Sequence, residues 1–104
     1  KESMTMTIQT IRNGTTTTLA IEGRVDTMTS SQLQQAVLQA FQGAEKVVLD
    51  FEKVTYISSA GLRVLLIGQK TAQSKHMSMV LTNVGETVKN VLDMVGFTSV
   101  MTIE

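Results

Sequence analysis

The chain has 104 residues, nine basic and nine acidic, no net formal charge and 42% hydrophobic residues. That is enough for one domain with one core, and too apolar for a disordered chain. The absence of cysteine excludes disulfides, thiolate metal sites and cysteine nucleophiles.

Three Phe, one Tyr and no Trp supply little for stacking nucleic-acid bases, and no basic cluster favours phosphate backbones. The longest apolar run, Val64 to Ile67, falls far short of the ~18 residues of a membrane span. No signal peptide is visible, so a cytoplasmic protein without membrane or nucleic-acid contact is expected. The chain starts at Lys1 without a Met, which reads as a trimmed sequence.

In chain order, Met4, Met6 and Ile8 alternate with Thr5, Thr7 and Gln9, the pattern of a half-buried strand. Asn13-Gly14 is a strong hairpin signal, because both residues tolerate positive φ. Thr17, Leu19 and Ile21 then form the return strand, with Thr15 to Thr18 as β-branched strand residues. Gly23-Arg24-Val25-Asp26 reads as a loop. Thr29-Ser30-Ser31-Gln32 has the form of a capping box, with Gln32 reaching back to Thr29. Leu33, Ala36, Val37, Ala40 and Phe41 fall on one helical face, and Gly43 ends that helix.

The next unit begins with the apolar run Val47 to Leu49, a buried strand. A short connection follows, and Ser58-Ser59-Ala60-Gly61 sits where a helix lasting to about Ser74 begins. Met77, Met79 and Leu81 alternate in a further strand. Asn83-Val84-Gly85 turns the chain. Val88, Val91, Leu92 and Val95 mark a third helix closed by Gly96, and Val100 to Ile103 make a last strand. The order is ββαβαβαβ. It predicts an α/β domain over residues 1–104, a mixed sheet with an antiparallel N-terminal hairpin and β-α units packing helices on the sheet. A C-terminal helix is either missing or absent.

Motifs for chemistry are scarce. There is no G-x-x-x-x-G-K-[ST] loop, no G-x-G-x-x-G and no G-x-S-x-G elbow. The single histidine, His76, sits at a strand start beside Lys75. It activates a serine only if the fold carries it to the serine loop; otherwise it is an exposed strand-end residue. One histidine and scattered carboxylates supply no metal-ligand pattern. No cofactor and no catalytic residue are expected. Asp26 is either a support for the following helix or a functional acid. Asp50 and Glu52 read as solvated charges at a strand end, and Asp93 as a surface residue. Met28 is either a hydrophobic staple near Leu33 or an exposed contact.

A serine at a helix start can cap the helix, hold an anion beside it, or be phosphorylated itself. The stretch Tyr56-Ile57-Ser58-Ser59-Ala60-Gly61-Leu62-Arg63-Val64-Leu65-Leu66 resembles the signature of the STAS domain family. Gly23-Arg24-Val25-Asp26 resembles that family's segment between the second strand and first helix. Val47-Leu49-Asp50-Phe51 with Val54 resembles the strand before its serine loop, and Leu92-Asp93-Met94-Val95-Gly96-Phe97 its third helix and exit. The resemblance spans nearly the whole chain.

What the resemblance implies is an anti-sigma-factor antagonist, a binding protein without catalytic activity. It would sequester an anti-sigma factor, a serine kinase of the GHKL ATP-binding type. Phosphorylation of its serine would break the complex, and a PP2C-type phosphatase would reverse the modification. A monomer that forms the hetero-complex is the family default. Aligned on its glycine, the family's Asp-Ser-[Ser/Thr]-Gly-Leu-Gly loop puts the phosphorylated serine on Ser59. Ser58 then replaces the aspartate, Ala60 the next hydroxyl and Arg63 the last glycine. Arg24, Asp26, Ser58, Ser59, Gly61 and Arg63 would form the partner surface, with Gly61 allowing close approach. The same family includes STAS subunits that scaffold lipid-transport or stress-sensing complexes. A small nucleotide-binding or hydrolytic domain, holding an anion at the serine-loop helix, is the alternative of another class.

Overall fold

A computed structural model describes residues 6–104, and the expectation for Met4 lies outside them. The first two strands, β1 (Met6–Asn13) and β2 (Thr16–Val25), form the antiparallel hairpin, in register from Met6 opposite Gly23 to Asn13 opposite Thr16. That register makes Gly14 and Thr15 the central turn residues, not Asn13 and Gly14. Only Gly14 has positive φ, at 64°, the placement of glycine in a type II′ turn. Arg12 reaches from β1 to the end of the first helix, α1 (Ser30–Ala40), where its guanidinium donates to the carbonyls of Gln42 and Gly43. These bonds tie β1 to the turn that follows α1.

Three parallel strands follow β2 across the sheet: β3 (Lys46–Ile57), β4 (Ser78–Thr82) and β5 (Thr102–Ile103). The spatial order equals the chain order, β1-β2-β3-β4-β5. The helices between them are α1, α2 (Ser59–Ser74) and α3 (Glu86–Met94), with a short 3₁₀ turn at Phe97–Ser99. The α/β class and the ββαβαβαβ order expected from the sequence are observed.

α1 and α2 pack side by side, α1 on β2 and α2 on β4, while α3 packs against β3. Gly68 permits the close approach of α2. A Cβ there would lie 2.7 Å from Met79 Sδ and 3.1 Å from Val37 Cγ1. Leu19, Ile21, Leu33, Val37, Leu49, Phe51, Leu65 and Leu81 fill the centre. Met79, Val80 and Leu81 are buried in succession, as in a strand covered on both faces.

Several local expectations are corrected. Gly23, Arg24 and Val25 are not a loop but the end of β2, and no connection separates Leu49 from the serines, because β3 runs unbroken to Ile57. The two extensions pair with each other, Arg24 opposite Tyr56 and Val25 opposite Ile57, after register shifts between Ala20 and Glu22 and between Gly23 and Arg24. The shifts change the buried spacing of β3 from two residues to three, through Phe51, Val54 and Ile57, which hid the strand from a period-two reading. Asp50 and Glu52 therefore lie within the strand. Asp50 Oδ1 accepts from Glu52 N–H and from Asn83 Nδ2, each at 3.0 Å.

The capping box does not form. Gln32 Nε2 donates to the Met6 carbonyl instead, and the Thr29 side chain makes no cap bond to α1. The last strand is only Thr102–Ile103, since the 3₁₀ turn takes up the preceding residues and leaves Val100 exposed. Val95 is exposed just beyond α3 rather than on its buried face.

Candidate functional site

The paired ends of β2 and β3 place two loops beside one another at the carboxyl edge of the parallel strands, where open α/β sheets present their binding groups. The Ser58 N–H donates to the Val25 carbonyl at 2.8 Å and ties the serine loop to the tip of β2. Ser58 has extended backbone angles, φ −98° and ψ 177°, and is the N-cap of α2. Its Oγ accepts from the Gly61 N–H at 3.4 Å. Ser59 is the first helical residue and is exposed. Of the two serines, Ser58 caps and Ser59 faces solvent.

Gly61 does not serve a partner's approach. It is buried, and a Cβ would lie 2.6 Å from Val25 Cγ1, 2.8 Å from Ile57 Cγ1 and 3.1 Å from the Val25 carbonyl. Its smallness lets α2 begin directly on the ends of β2 and β3. Arg63, one turn after Ser59, is exposed.

The β2–α1 loop is held from within. Asp26 is 8% exposed. Its Oδ1 accepts the backbone N–H groups of Met28 at 3.0 Å and Thr29 at 3.2 Å. Its backbone carbonyl accepts from Thr29 N–H and Ser30 N–H. Buried Thr29 donates its hydroxyl to the Arg24 carbonyl at 2.8 Å and accepts the Asp26 N–H at 2.9 Å. The Asp26 carboxylate therefore nucleates the turn into α1. Arg24 lies with Nε 3.6 Å from Asp26 Oδ2 and its guanidinium carbon 4.2 Å from the Tyr56 ring centroid. The loop leaves Met28 75% exposed, so this methionine is a surface residue and not a staple.

Of the six residues singled out from sequence, Arg24, Asp26, Ser58 and Ser59 meet around the two loop tips, Arg63 continues the exposed side of α2, and Gly61 lies beneath. Sequence reasoning missed Tyr56 and the role of Thr29. The spacing Asp26-x-x-Thr29 carries the signal of a side-chain-closed turn, while Tyr56 is found only once Arg24 is known to face it across the strands. His76 lies at the far end of α2 from Ser59, ~24 Å along a 16-residue helix, and cannot act as its base. Among the described residues no group of three His, Asp or Glu side chains is arranged to hold a metal ion. A groove of about 300 Å³ lined by Glu22, Asp50, Glu52 and Lys53 lies on β1, β2 and β3, away from the serines. The serine end is formed by two loop tips and a helix start.

The family profile described as Mlab, STAS domain matches residues 8–102. The chain belongs to the STAS domain family. A Bordetella bronchiseptica protein, named provisionally as the anti-sigma factor antagonist BtrV, is 33% identical over 84 residues, covering 80% of this chain and 72% of that protein. The fold is shared with an anti-sigma factor antagonist from Mycobacterium paratuberculosis at a TM-score of 0.87 and 17% identity, over 95% of this STAS domain and 85% of that chain. It is also shared with the Bacillus cell fate determinant SpoIIAA in its phosphorylated form, at a TM-score of 0.73 and 20% identity, over 94% and 91% of the two chains. Among the described residues, no helix of this STAS domain is long and apolar enough to cross a membrane.

Proposed function

We propose that this STAS domain is an anti-sigma-factor antagonist switched by phosphorylation of Ser59. The observation that carries the reading is the division of labour between neighbouring serines. Ser58 holds the cap, which leaves Ser59 exposed and structurally dispensable at the tip of a helix. The 33% identical relative with an antagonist's name supplies the biological class. The unmodified domain, a cytoplasmic monomer, binds a GHKL-type anti-sigma kinase through Arg24, Met28, Ser59 and Arg63, without catalysis of its own. Phosphate adds roughly −1.5 to −2 charges and a tetrahedral group in the middle of that surface, and breaks contact by repulsion and desolvation. Since Ser59 contributes no cap bond, the partner is released while the domain stays folded. A PP2C-type phosphatase resets the surface.

The test is to purify the tagged protein from its native cells, return the copurified ATP-binding kinase with ATP, and record intact mass. The expected result is one added phosphate that abolishes the complex, with no addition on Ser59→Ala, which still binds. An unchanged mass, or copurification of membrane transporter subunits instead of a kinase, overturns the switch and favours a scaffold subunit.

A further inference from the structure

The serine end of the molecule is electrically one-sided. Across Gly23 to Ser31 and Val54 to Ile67 the only acidic residue is Asp26, against Arg24 and Arg63. Asp26 is nearly buried, its Oδ1 closing the turn and its Oδ2 facing Arg24. Arg24 in turn is committed to Asp26 and the Tyr56 ring.

Arg63 is in a different position. It is exposed, and among the described residues it has neither an ion pair nor a side-chain hydrogen bond. Side chains that touch along a helix are three or four residues apart. For Arg63 these neighbours are Ser59, Ala60, Leu66 and Ile67, so Ser59 is the only polar one. Cα–Cβ bonds tilt toward the helix N-terminus, and a long side chain at position 63 reaches back over the turn that begins with Ser59. The order also suits the pair, with the anion nearer the N-terminus and the cation four residues later.

We propose that Arg63 is the intramolecular receptor for a phosphate on Ser59. The inference rests on the reading of Ser59 as the modified residue. The planar guanidinium would take two phosphate oxygens in charge-assisted hydrogen bonds, a geometry that no ammonium or glycine at this position reproduces. Phosphorylation then changes the surface twice. It adds negative charge at Ser59, and it withdraws the one exposed arginine of the helix start from any carboxylate a partner brings. The replacement of a glycine by Arg63 thereby makes the modified state self-contained, because the phosphate finds its counter-charge within the domain.

The experiment needs no kinase. Phosphoserine is installed at position 59 by genetic incorporation in the full chain, and the second ionisation of its phosphate is followed by phosphorus NMR against pH. A paired arginine favours the dianion, so the titration midpoint in the Arg63 protein is expected about 0.3 pH unit below that of Arg63→Gln. Arg63→Lys should fall between them, and added salt should narrow the gap. Both substitutions are at an exposed position, and amide spectra check that the fold is retained. Equal midpoints for the Arg63 protein and the Arg63→Gln variant overturn the proposal. The two readings fail separately. A midpoint difference without phosphorylation by the copurified kinase removes the switch and keeps the pairing; phosphorylation of Ser59 with equal midpoints does the reverse.

Discussion

The two loops at the carboxyl edge of the sheet are neighbours, yet they are built in opposite ways. The β2–α1 loop is closed on itself. Asp26 and Thr29, both buried, supply three side-chain hydrogen bonds of 2.8 to 3.0 Å and one of 3.2 Å to their own backbone. The β3–α2 loop has one long side-chain bond, from Gly61 N–H to Ser58 Oγ at 3.4 Å, and an exposed Ser59. The first loop fixes where Met28 and Arg24 stand. The second leaves the Ser59 hydroxyl exposed to solvent. The proposed switch requires both: a rigid surface to be recognised and a residue whose modification the fold does not feel.

The contrast is broken most severely at Asp26. Asp26→Ala leaves the Met28 N–H without its acceptor and the Thr29 N–H with only its 3.2 Å bond to the backbone carbonyl of residue 26, in a nearly buried turn. The expected loss is about 3 kcal/mol, read from urea unfolding, since each bond to a charged acceptor is worth about 1.5 to 3 kcal/mol. Asp26→Asn, which keeps an Oδ1 acceptor, should recover more than half of that. A loss under about 0.5 kcal/mol for Asp26→Ala, the range of an ordinary surface change, would return the residue to a purely functional role.

Gly61→Ala comes next. Helix propensity alone favours alanine by about 1 kcal/mol, but the new methyl meets two branched side chains and a backbone carbonyl at 2.6 to 3.1 Å. Overpacking should win, with a net loss of about 2 kcal/mol. Gly68→Ala supplies the control, because its nearest contact is the flexible Met79 sulfur. The change there should stay within about 1 kcal/mol. If both substitutions behave alike, Gly61 is not the seat of α2 on the strand ends.

The alternation of Thr17, Leu19 and Ile21 and the helical spacing of Leu33, Val37 and Ala40 made the architecture legible, since each pattern matches one buried face. The same rule failed where the geometry departs from ideal strands. Beyond Phe51 the buried residues of β3 fall every third position, so the tips of β2 and β3 read as loops, and Arg24 and Tyr56 were not seen as a pair. The serine junction was legible because helix starts have their own residue preferences, but sequence alone left open which serine caps. Backbone angles separate the two: Ser58 is extended, and Ser59 is already in the helix. Gly61 was misread because its neighbours, Val25 and Ile57, are distant from it or from each other in sequence and meet it only in the fold.

The smallest effects sharpen the comparison most, because they separate the serines from each other. Ser58→Ala removes the cap and should cost about 0.5 kcal/mol, the low end for a lost N-cap, given its 3.4 Å bond. Ser59→Ala should lie within about 0.5 kcal/mol of the unmodified protein, as at other exposed positions without partners. Ser59→Asp should go the other way. A carboxylate at the first helical position meets the positive end of α2, and Arg63 follows it by one turn. Together they should stabilise by about 0.5 kcal/mol. In an Arg63→Gln background the dipole remains and the pair does not, so roughly half of that gain should disappear, as should its sensitivity to salt. A charge at position 59 that destabilised the domain would mean that the modified residue acts by loosening α2, and the division between a rigid loop and a permissive one would no longer explain release of a partner.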